Sequence, residues 1–133
     1  MQWDVKEAKK YARAGQLEAW IDSYLRQKDW QNIEMAEGLK KAPRIWEGPV
    51  LVSLKDIVRH CGPEETMDYK IRPDWWEHTI TNMATGFSAP ETLPPLILQR
   101  VDSVLHARDG NHRIAAAQLK GWEELWALVW MNT

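Results

Sequence analysis

The sequence predicts an α+β domain. The front of the chain, residues 1–47, is predicted to be helical, and the back half, residues 48–133, is predicted to combine helices with a small sheet. In the front, apolar residues recur at the spacing of one helix face: Leu17, Trp20, Ile21, Tyr24 and Leu25. In the back, short apolar runs at 50–54 and 96–100 have the length and composition of strands. A run of alanines then follows a glycine turn near residue 110, which indicates a helix after a strand.

Composition places the chain among folded domains without a strong charge bias. It has 133 residues, 44% hydrophobic and 27% charged, enough for one domain with its own core. The net charge of -2 gives no general attraction to nucleic acid or acidic membranes. The single cysteine, Cys61, excludes an internal disulfide and suits a reducing cytoplasm. The apolar runs are too short to span a membrane, and the charged start lacks the apolar core of a secretion signal.

Two helical stretches make up the front of the chain, which we treat as a segment over residues 1–47. The first follows a break at Gly15, and the second follows Asp29, with Trp30, Ile33, Ala36 and Leu39 on one side. Prolines and a glycine predict a loop over 41–49. We interpret two basic clusters as solvated surfaces: Lys6, Lys9, Lys10 and Arg13, and Lys40, Lys41 and Arg44. The nine tryptophans are interpreted as core-filling residues.

The back half alternates strands and helices. A helix is predicted over 72–87, with Pro73 in its first turn, Asp74 as N-cap and Glu77 completing a capping box. Strands are predicted at 96–100 and 104–108. The final run at 122–130 fits both a helix and a strand, and Gly121 favours the strand because it can end the alanine helix in a left-handed conformation.

The stretch ARDGNHRIAAAQLKGW, residues 107–122, carries the densest set of chemical groups. Asp109 and Gly110 alone fit a hairpin turn, but the helix formers that follow favour a strand, a tight turn and a helix beginning near Asn111. The first N–H groups of a helix lack internal partners and carry the positive end of its dipole. This geometry predicts a site for an anion, most commonly phosphate.

Four side chains of this run have distinct chemical roles in such a site. Arg113 supplies a permanent charge that can clamp phosphate, and a β-hairpin at this stretch or an Arg113 held in a permanent internal ion pair would overturn the predicted site. His112 can donate a hydrogen bond or move a proton near neutral pH. Asp109 can orient a ligand hydroxyl, hold a metal or accept a proton. In the alternative interpretation, Asn111 is a plain N-cap, and His112 and Arg113 are ordinary surface residues.

The run DGNHRIAAAQLKGWEELWALVW resembles the ParB/sulfiredoxin (ParB/Srx) superfamily, whose members carry a G-x-[HR]-R-x-x-A-type motif at a strand-to-helix turn. Upstream, VLVSLKDI resembles the family's entry strand, WWEHTITNM its L-x-x-[ST]-I helix, and LPPLILQR the strand that leads to the site. The resemblance covers residues 48–131. It implies a small mixed sheet with packed helices over 48–133, preceded by the helical segment 1–47, in one compact unit.

The resemblance also implies a nucleotide whose phosphates rest on the turn. Gly110, Asn111, His112 and Arg113 then form the phosphate cradle, and Thr79 is a second nucleotide contact. The implied ligands are ATP, ADP or CTP with Mg²⁺. Asn111 stands where sulfiredoxins need a cysteine, which excludes sulfinic acid reduction. The chain also lacks the long DNA-binding and dimerisation regions of ParB, so we do not expect a partitioning clamp.

Three functions remain open at this point. The leading hypothesis is a cytoplasmic nucleotide-binding domain that transfers or hydrolyses a phosphoryl group, with Asp109 and His112 as catalytic residues or a carboxylate of the 64–68 loop assisting. The second is a DNA-binding or nuclease-like component that uses the same turn and the 40–44 cluster. The third is a non-catalytic interaction module with the tryptophan-rich front helices as its surface. No metal site is predicted, because ligands as close in sequence as His106, Asp109 and His112 seldom converge on one ion. The oligomeric state stays open.

Overall fold

The computed structural model describes residues 3–27 and 31–132, and its elements confirm the α+β class. The helices in this part of the chain are α1 (Val5–Arg13), α2 (Leu17–Arg26), α3 (Ile33–Leu39), α4 (Pro73–Thr85) and α5 (Asn111–Leu119). The strands are β1 (Arg44–Ser53), β2 (Ile57–Val58), β3 (Cys61–Gly62), β4 (Tyr69–Lys70), β5 (Leu96–Val101), β6 (Val104–Asp109) and β7 (Glu124–Asn132).

Five of these strands form one mixed sheet in the order β1-β7-β5-β6-β2. The central pair, β5 and β7, is parallel, and each is flanked by an antiparallel neighbour, β6 and β1 respectively. β2 adds a short parallel pairing to β6, while β3 and β4 pair with each other outside the sheet. The last strand of the chain therefore lies inside the sheet, and β1 and β2 lie at its two edges.

Both faces of the sheet are covered by helices. Successive residues of a strand point to opposite sides, so neighbouring residues of one strand belong to different cores. On β5, Leu96 and Leu98 join the core against α4 and α5, whereas Ile97 joins a second core under α1, α2 and α3. Trp20 lies in that second core and stacks on Tyr24 with ring centroids 5.3 Å apart. The molecule thus has three layers, with the front helices packed directly on the sheet.

Helices α2 and α3 match the two predicted helical stretches, whereas α1 was not predicted. Trp20 of α2 is a core residue as expected, but Trp75 of α4 is 64% exposed and does not fill the core. Asp29 and Trp30, which we placed near the start of the second helix, lie outside the described residues. The division between 1–47 and 48–133 stays a prediction, and β1 runs across it from Arg44.

Several local predictions are wrong in their boundaries. The loop predicted over 41–49 ends early, because β1 begins at Arg44 and pairs with Asn132 of β7. The N-cap of α4 is Arg72 instead of Asp74, because Pro73 occupies the first helical position and the Asp74 carboxylate pairs with the Arg72 guanidinium at 2.9 Å. The two-residue strands β2, β3 and β4 carry too short a pattern for sequence periodicity to predict.

The end of α5 matches the predicted stop. Gly121 has φ +85°, a left-handed conformation that L side chains rarely adopt, and the Trp122 N–H donates to the Ala117 carbonyl at 2.9 Å. Trp122 then folds back against Phe87, with ring centroids 5.6 Å apart. The chain continues into β7, which confirms the strand for the final run.

Across residues 3–27 and 31–132, no helix is long and apolar enough to cross a membrane.

The two-sided burial of β5 predicts that Ile97→Ala and Leu98→Ala each lower the free energy of unfolding by about 2–5 kcal/mol, because both leave a cavity in a closed core. Val101→Ala, on the same strand but 39% exposed, is the control and is expected to cost less than about 1.5 kcal/mol. Urea unfolding checks all three variants. A neutral Ile97→Ala would contradict the packing of the front helices on the sheet.

Candidate functional site

The candidate site begins where β6 passes into α5. β6 ends at Asp109, Gly110 takes φ +105°, and α5 begins at Asn111, which confirms the strand, turn and helix and excludes the hairpin. Gly110 is required here for a second reason, since a Cβ would lie 2.5 Å from Leu96 Cδ2 and 3.0 Å from Arg113 Nη2. As N-cap, Gly110 offers no side chain to the first N–H groups of α5.

A cleft of about 280 Å³, which we call the α5 cleft, opens beside this turn. The residues that line it come from α4 and from the turn: Thr79, Met83, Asp109, Gly110, His112 and Arg113. All the predicted site residues except Asn111 therefore line one cleft, although Thr79 is thirty positions from Asp109 in the sequence. Their roles toward a ligand stay predictions.

The side chain of Asn111 makes contacts that neither interpretation predicted. Its Oδ1 accepts hydrogen bonds from the backbone N–H groups of His60 at 2.8 Å and Cys61 at 3.2 Å. The side chain therefore fixes the start of β3 against the head of α5, and it is neither the N-cap nor a wall of the cleft. Only the backbone N–H of Asn111 is left at the helix terminus for the predicted cradle.

The structure corrects the prediction that the Arg113 guanidinium is free to clamp a phosphate. The residue is only 2% exposed. Its Nη2 donates to Asp109 Oδ2 at 2.8 Å, and its Nη1 donates to the Pro94 carbonyl at 2.5 Å and more weakly to that of Pro95 at 3.4 Å. Arg113 is thus held in an internal ion pair beneath Gly110, where it supports the turn and forms the floor of the cleft. This finding overturns the predicted site in its original form, in which the guanidinium itself binds the anion.

Tyr24 of α2 completes this buried group, and no sequence pattern predicted its place in the site. Its hydroxyl donates to Asp109 Oδ2 at 3.0 Å, and the Arg113 guanidinium lies 5.9 Å from the centre of its ring. Burial, reinforced by the neighbouring carboxylate, raises the pKa of Tyr24, which therefore stays a hydrogen-bond donor. Periodicity predicted a buried residue here, but Tyr24 and Asp109 are 85 positions apart, so no local signal links them.

Asp109 keeps one carboxylate oxygen for other partners. Among the described residues, the hydrogen bonds from Tyr24 and Arg113 both end on Oδ2. The residue also lines the α5 cleft, so Oδ1 is the atom available to accept a proton or a hydrogen bond from a ligand.

His112 enters the cleft as a neutral imidazole. Its ring packs on Trp76 with centroids 4.6 Å apart, and the Arg59 guanidinium lies 5.1 Å from the Trp76 ring. Burial, with a smaller contribution from the positive charge of Arg59, lowers the pKa of His112. A neutral imidazole offers one donor and one acceptor nitrogen, which suits either hydrogen bonding or proton transfer.

The acidic 64–68 loop lies apart from the cleft. Glu64 pairs with Arg59 at 2.5 Å, Glu65 pairs with Lys70 at 2.5 Å, and Asp68 bonds to His60 at 2.6 Å. None of the three carboxylates is among the residues that line the α5 cleft. Within the described part of the chain, no group of three or more His, Cys, Asp and Glu side chains has the geometry to hold a metal ion.

The buried ion pair predicts that Arg113→Ala lowers the free energy of unfolding by about 3–5 kcal/mol, because it leaves the Asp109 carboxylate without its countercharge. Arg100→Ala breaks a solvent-exposed pair with Glu47 and is the matched control, with an expected cost of at most about 1 kcal/mol. Urea unfolding measures both. Equal stability of the two variants would show that Arg113 is not a structural residue.

The neutral state of His112 predicts a pH-dependent contribution to stability. Because its native pKa lies below the ordinary value of 6.5, the unfolded chain binds the proton first as the pH falls. This contribution is present above about pH 6.5 and is lost as the pH falls through the native pKa. His112→Gln is expected to unfold with a weaker dependence on pH between 7.5 and 5 than the wild type. His78→Gln, at an exposed position of α4, is the control, and identical pH profiles for all three proteins would contradict the assignment.

No family model matches the sequence, and no curated protein is similar to it. Among solved structures, the chain is similar to sulfiredoxin from Arabidopsis thaliana, with 18% identity over 61% of this chain and 84% of that chain and a TM-score of 0.38. It is also similar to a Pnob8-like ParB-N domain, with 15% identity over 70% of this chain and 31% of that chain and a TM-score of 0.39. The match therefore spans about a third of the ParB-N chain. These are the two kinds of protein that the sequence resemblance names, and a likeness of this extent says nothing about ligand or activity.

Proposed function

We propose that this protein binds the phosphate end of a nucleotide in the α5 cleft. One observation carries the proposal: Gly110 and His112 at the uncapped head of α5 and Thr79 of α4 line the same cleft. The His112 backbone N–H, its imidazole and the Thr79 hydroxyl can each donate a hydrogen bond to an anionic oxygen.

The backbone of α5 is the first part of the proposed site. Ile114 is the first α5 residue whose N–H bonds back to the Gly110 carbonyl, at 3.0 Å. The N–H of His112, a residue that lines the cleft, precedes it and lies at the helix terminus, where the helix dipole favours negative charge. Because Gly110 has no side chain, a phosphate oxygen can approach this terminus closely.

Two side chains complete the set of donors. The Thr79 hydroxyl donates to the Trp75 carbonyl at 2.9 Å, a bond within α4 that it can exchange for a phosphate oxygen. The neutral imidazole of His112 provides one further N–H. Arg113 contributes indirectly: its charge compensates that of Asp109, which would otherwise repel an anion bound in the same cleft.

The proposed activity is phosphoryl transfer or nucleotide hydrolysis, with Asp109 Oδ1 and the His112 imidazole as the groups that accept or donate a proton. The proposed ligands are ATP, ADP or CTP with Mg²⁺, which in proteins is commonly held by one or two carboxylates together with substrate phosphates. Asp109 is the carboxylate that lines this cleft and would hold the ion. At about 280 Å³, the cleft accommodates the phosphates, with the base outside it.

The other two hypotheses have fewer supporting groups. For DNA, Arg113 is buried, Lys40 pairs with Asp22, and the Arg44 guanidinium donates to backbone carbonyls, which leaves Lys41 of the 40–44 cluster exposed and without an ion pair in the described part of the chain. For an interaction surface on the front helices, Trp20 is completely buried and Trp3 packs against it. Trp30 lies outside the described residues.

The proposal predicts that ATP, ADP or CTP with Mg²⁺ raises the melting temperature of the protein by several degrees, since a ligand at 100 times its Kd stabilises the native state by about 2.7 kcal/mol. Thr79→Val, which removes the donor but keeps the shape, is expected to reduce this shift. Thr81→Val, on α4 but outside the residues that line the cleft, is the matched control and keeps the wild-type shift. The proposal fails if none of the three nucleotides shifts the melting temperature, with Mg²⁺ or with EDTA.

A further inference from the structure

A second and larger cavity lies on the opposite face of the sheet from the α5 cleft. It has a volume of about 410 Å³ and is enclosed by α2, α3, the 40–43 loop and the start of β1. We call it the α2–β1 cavity. Its volume falls in the range of about 300–1,000 Å³ that is usual for small-molecule sites.

The inner surface of the α2–β1 cavity is apolar. Ile21 and Leu25 of α2 and Ala36 of α3 line it and belong to the core under the front helices. Trp46 of β1 forms another wall, and its ring packs against Trp130 with centroids 5.6 Å apart. Such a surface favours the apolar or aromatic body of a ligand, which loses contact with water on binding.

The rim of the cavity carries more positive than negative charge. Three cations and two carboxylates line it, for a net charge of +1: Lys40, Lys41, Arg44, Glu18 and Asp22. The Asp22 carboxylate pairs with Lys40 at 3.3 Å and with Arg26 at 2.9 Å, so these charges are already compensated within the protein.

The two remaining cations of the rim have different roles. The Arg44 guanidinium is held by the carbonyls of Gly38 at 3.0 Å and Leu39 at 3.4 Å. Lys41 is exposed and has no ion pair in the described part of the chain, which leaves its ammonium group available. A cation beside an apolar cavity matches a ligand that has one negative charge at the end of an apolar body.

We propose that the α2–β1 cavity binds an amphipathic carboxylate, with its apolar or aromatic body against Ile21, Leu25 and Trp46 and its carboxylate at Lys41. Both a free organic acid and the C-terminal residue of a peptide present this chemistry. The proposal does not depend on the nucleotide site, which lies across the sheet.

Isothermal titration with two matched pairs of probes tests the proposal. The first pair is 3-phenylpropionate and its uncharged amide, and the second is a short peptide that ends in phenylalanine, with a free or an amidated terminus. We expect the carboxylate of at least one pair to bind about two- to fivefold more tightly than its amide, as an ion pair with an exposed lysine predicts. If 3-phenylpropionate binds more tightly than the peptide acid, the cavity favours a free organic acid. If the peptide acid binds more tightly, the cavity favours the C-terminus of a chain.

The Lys41→Gln variant is expected to bind the acid and the amide of each pair equally. Lys6 of α1 lies outside the cavity, so the Lys6→Gln variant is the control and is expected to keep the wild-type preference for the acid. Ala36→Leu fills the cavity and is expected to weaken binding of acid and amide alike. Because Lys41 is exposed, its variant decides the question even if Ala36→Leu fails to fold. The proposal is overturned if no probe binds at millimolar concentration, if the amides bind as well as the acids, or if Lys41→Gln leaves the preference unchanged.

Discussion

The buried contact between Arg113 and Asp109 connects every layer of this protein. Asp109 ends a strand, Arg113 lies in the first turn of the next helix, Tyr24 reaches the same carboxylate from α2, and the Pro94 carbonyl accepts from the guanidinium. A charge pair withdrawn from water is stable only when its remaining donors and acceptors are satisfied. The Tyr24 hydroxyl and the Pro94 carbonyl meet part of that need. Helix α2 and the segment that leads into β5 are therefore fixed to one point of the sheet.

This arrangement changes which side chains of the DGNHR run can reach a ligand. A guanidinium at the head of a helix is expected to reach outward to a ligand, yet here it points inward and supports the turn. The donors that we propose for an anion are the backbone N–H of His112, its imidazole and the Thr79 hydroxyl, which belong to residues that line the α5 cleft. Rigid backbone donors that are already oriented cost little reorganisation when an anion binds, which makes a supported turn a better receptor than a flexible arginine.

Helix α2 contributes to both proposed sites. Tyr24 points through the core to the floor of the α5 cleft, and its neighbours Ile21 and Leu25 line the α2–β1 cavity. The central sheet separates the two cavities and is buried on both faces. The positions of the two proposed sites therefore depend on the same packed helix, although their ligands differ in chemistry.

The sequence by itself determined the longer elements around the site and the local chemistry of the site. The periodicity of α2, the strands β5 and β6, the left-handed stop at Gly121 and the turn at Gly110 all follow from properties of neighbouring residues. The grouping of Asp109, Gly110, His112 and Arg113 also followed from their adjacency. The resemblance added Thr79, and the structure places it in the same cleft.

Only the tertiary structure decided which groups face a ligand and which face the core. The inward guanidinium, the role of Asn111 in holding the start of β3, the partnership of Tyr24 with Asp109 and the early start of β1 all depend on contacts between distant segments. A side chain with several donors takes the partner that its surroundings provide, and those surroundings exist only after the sheet has closed and the helices have packed.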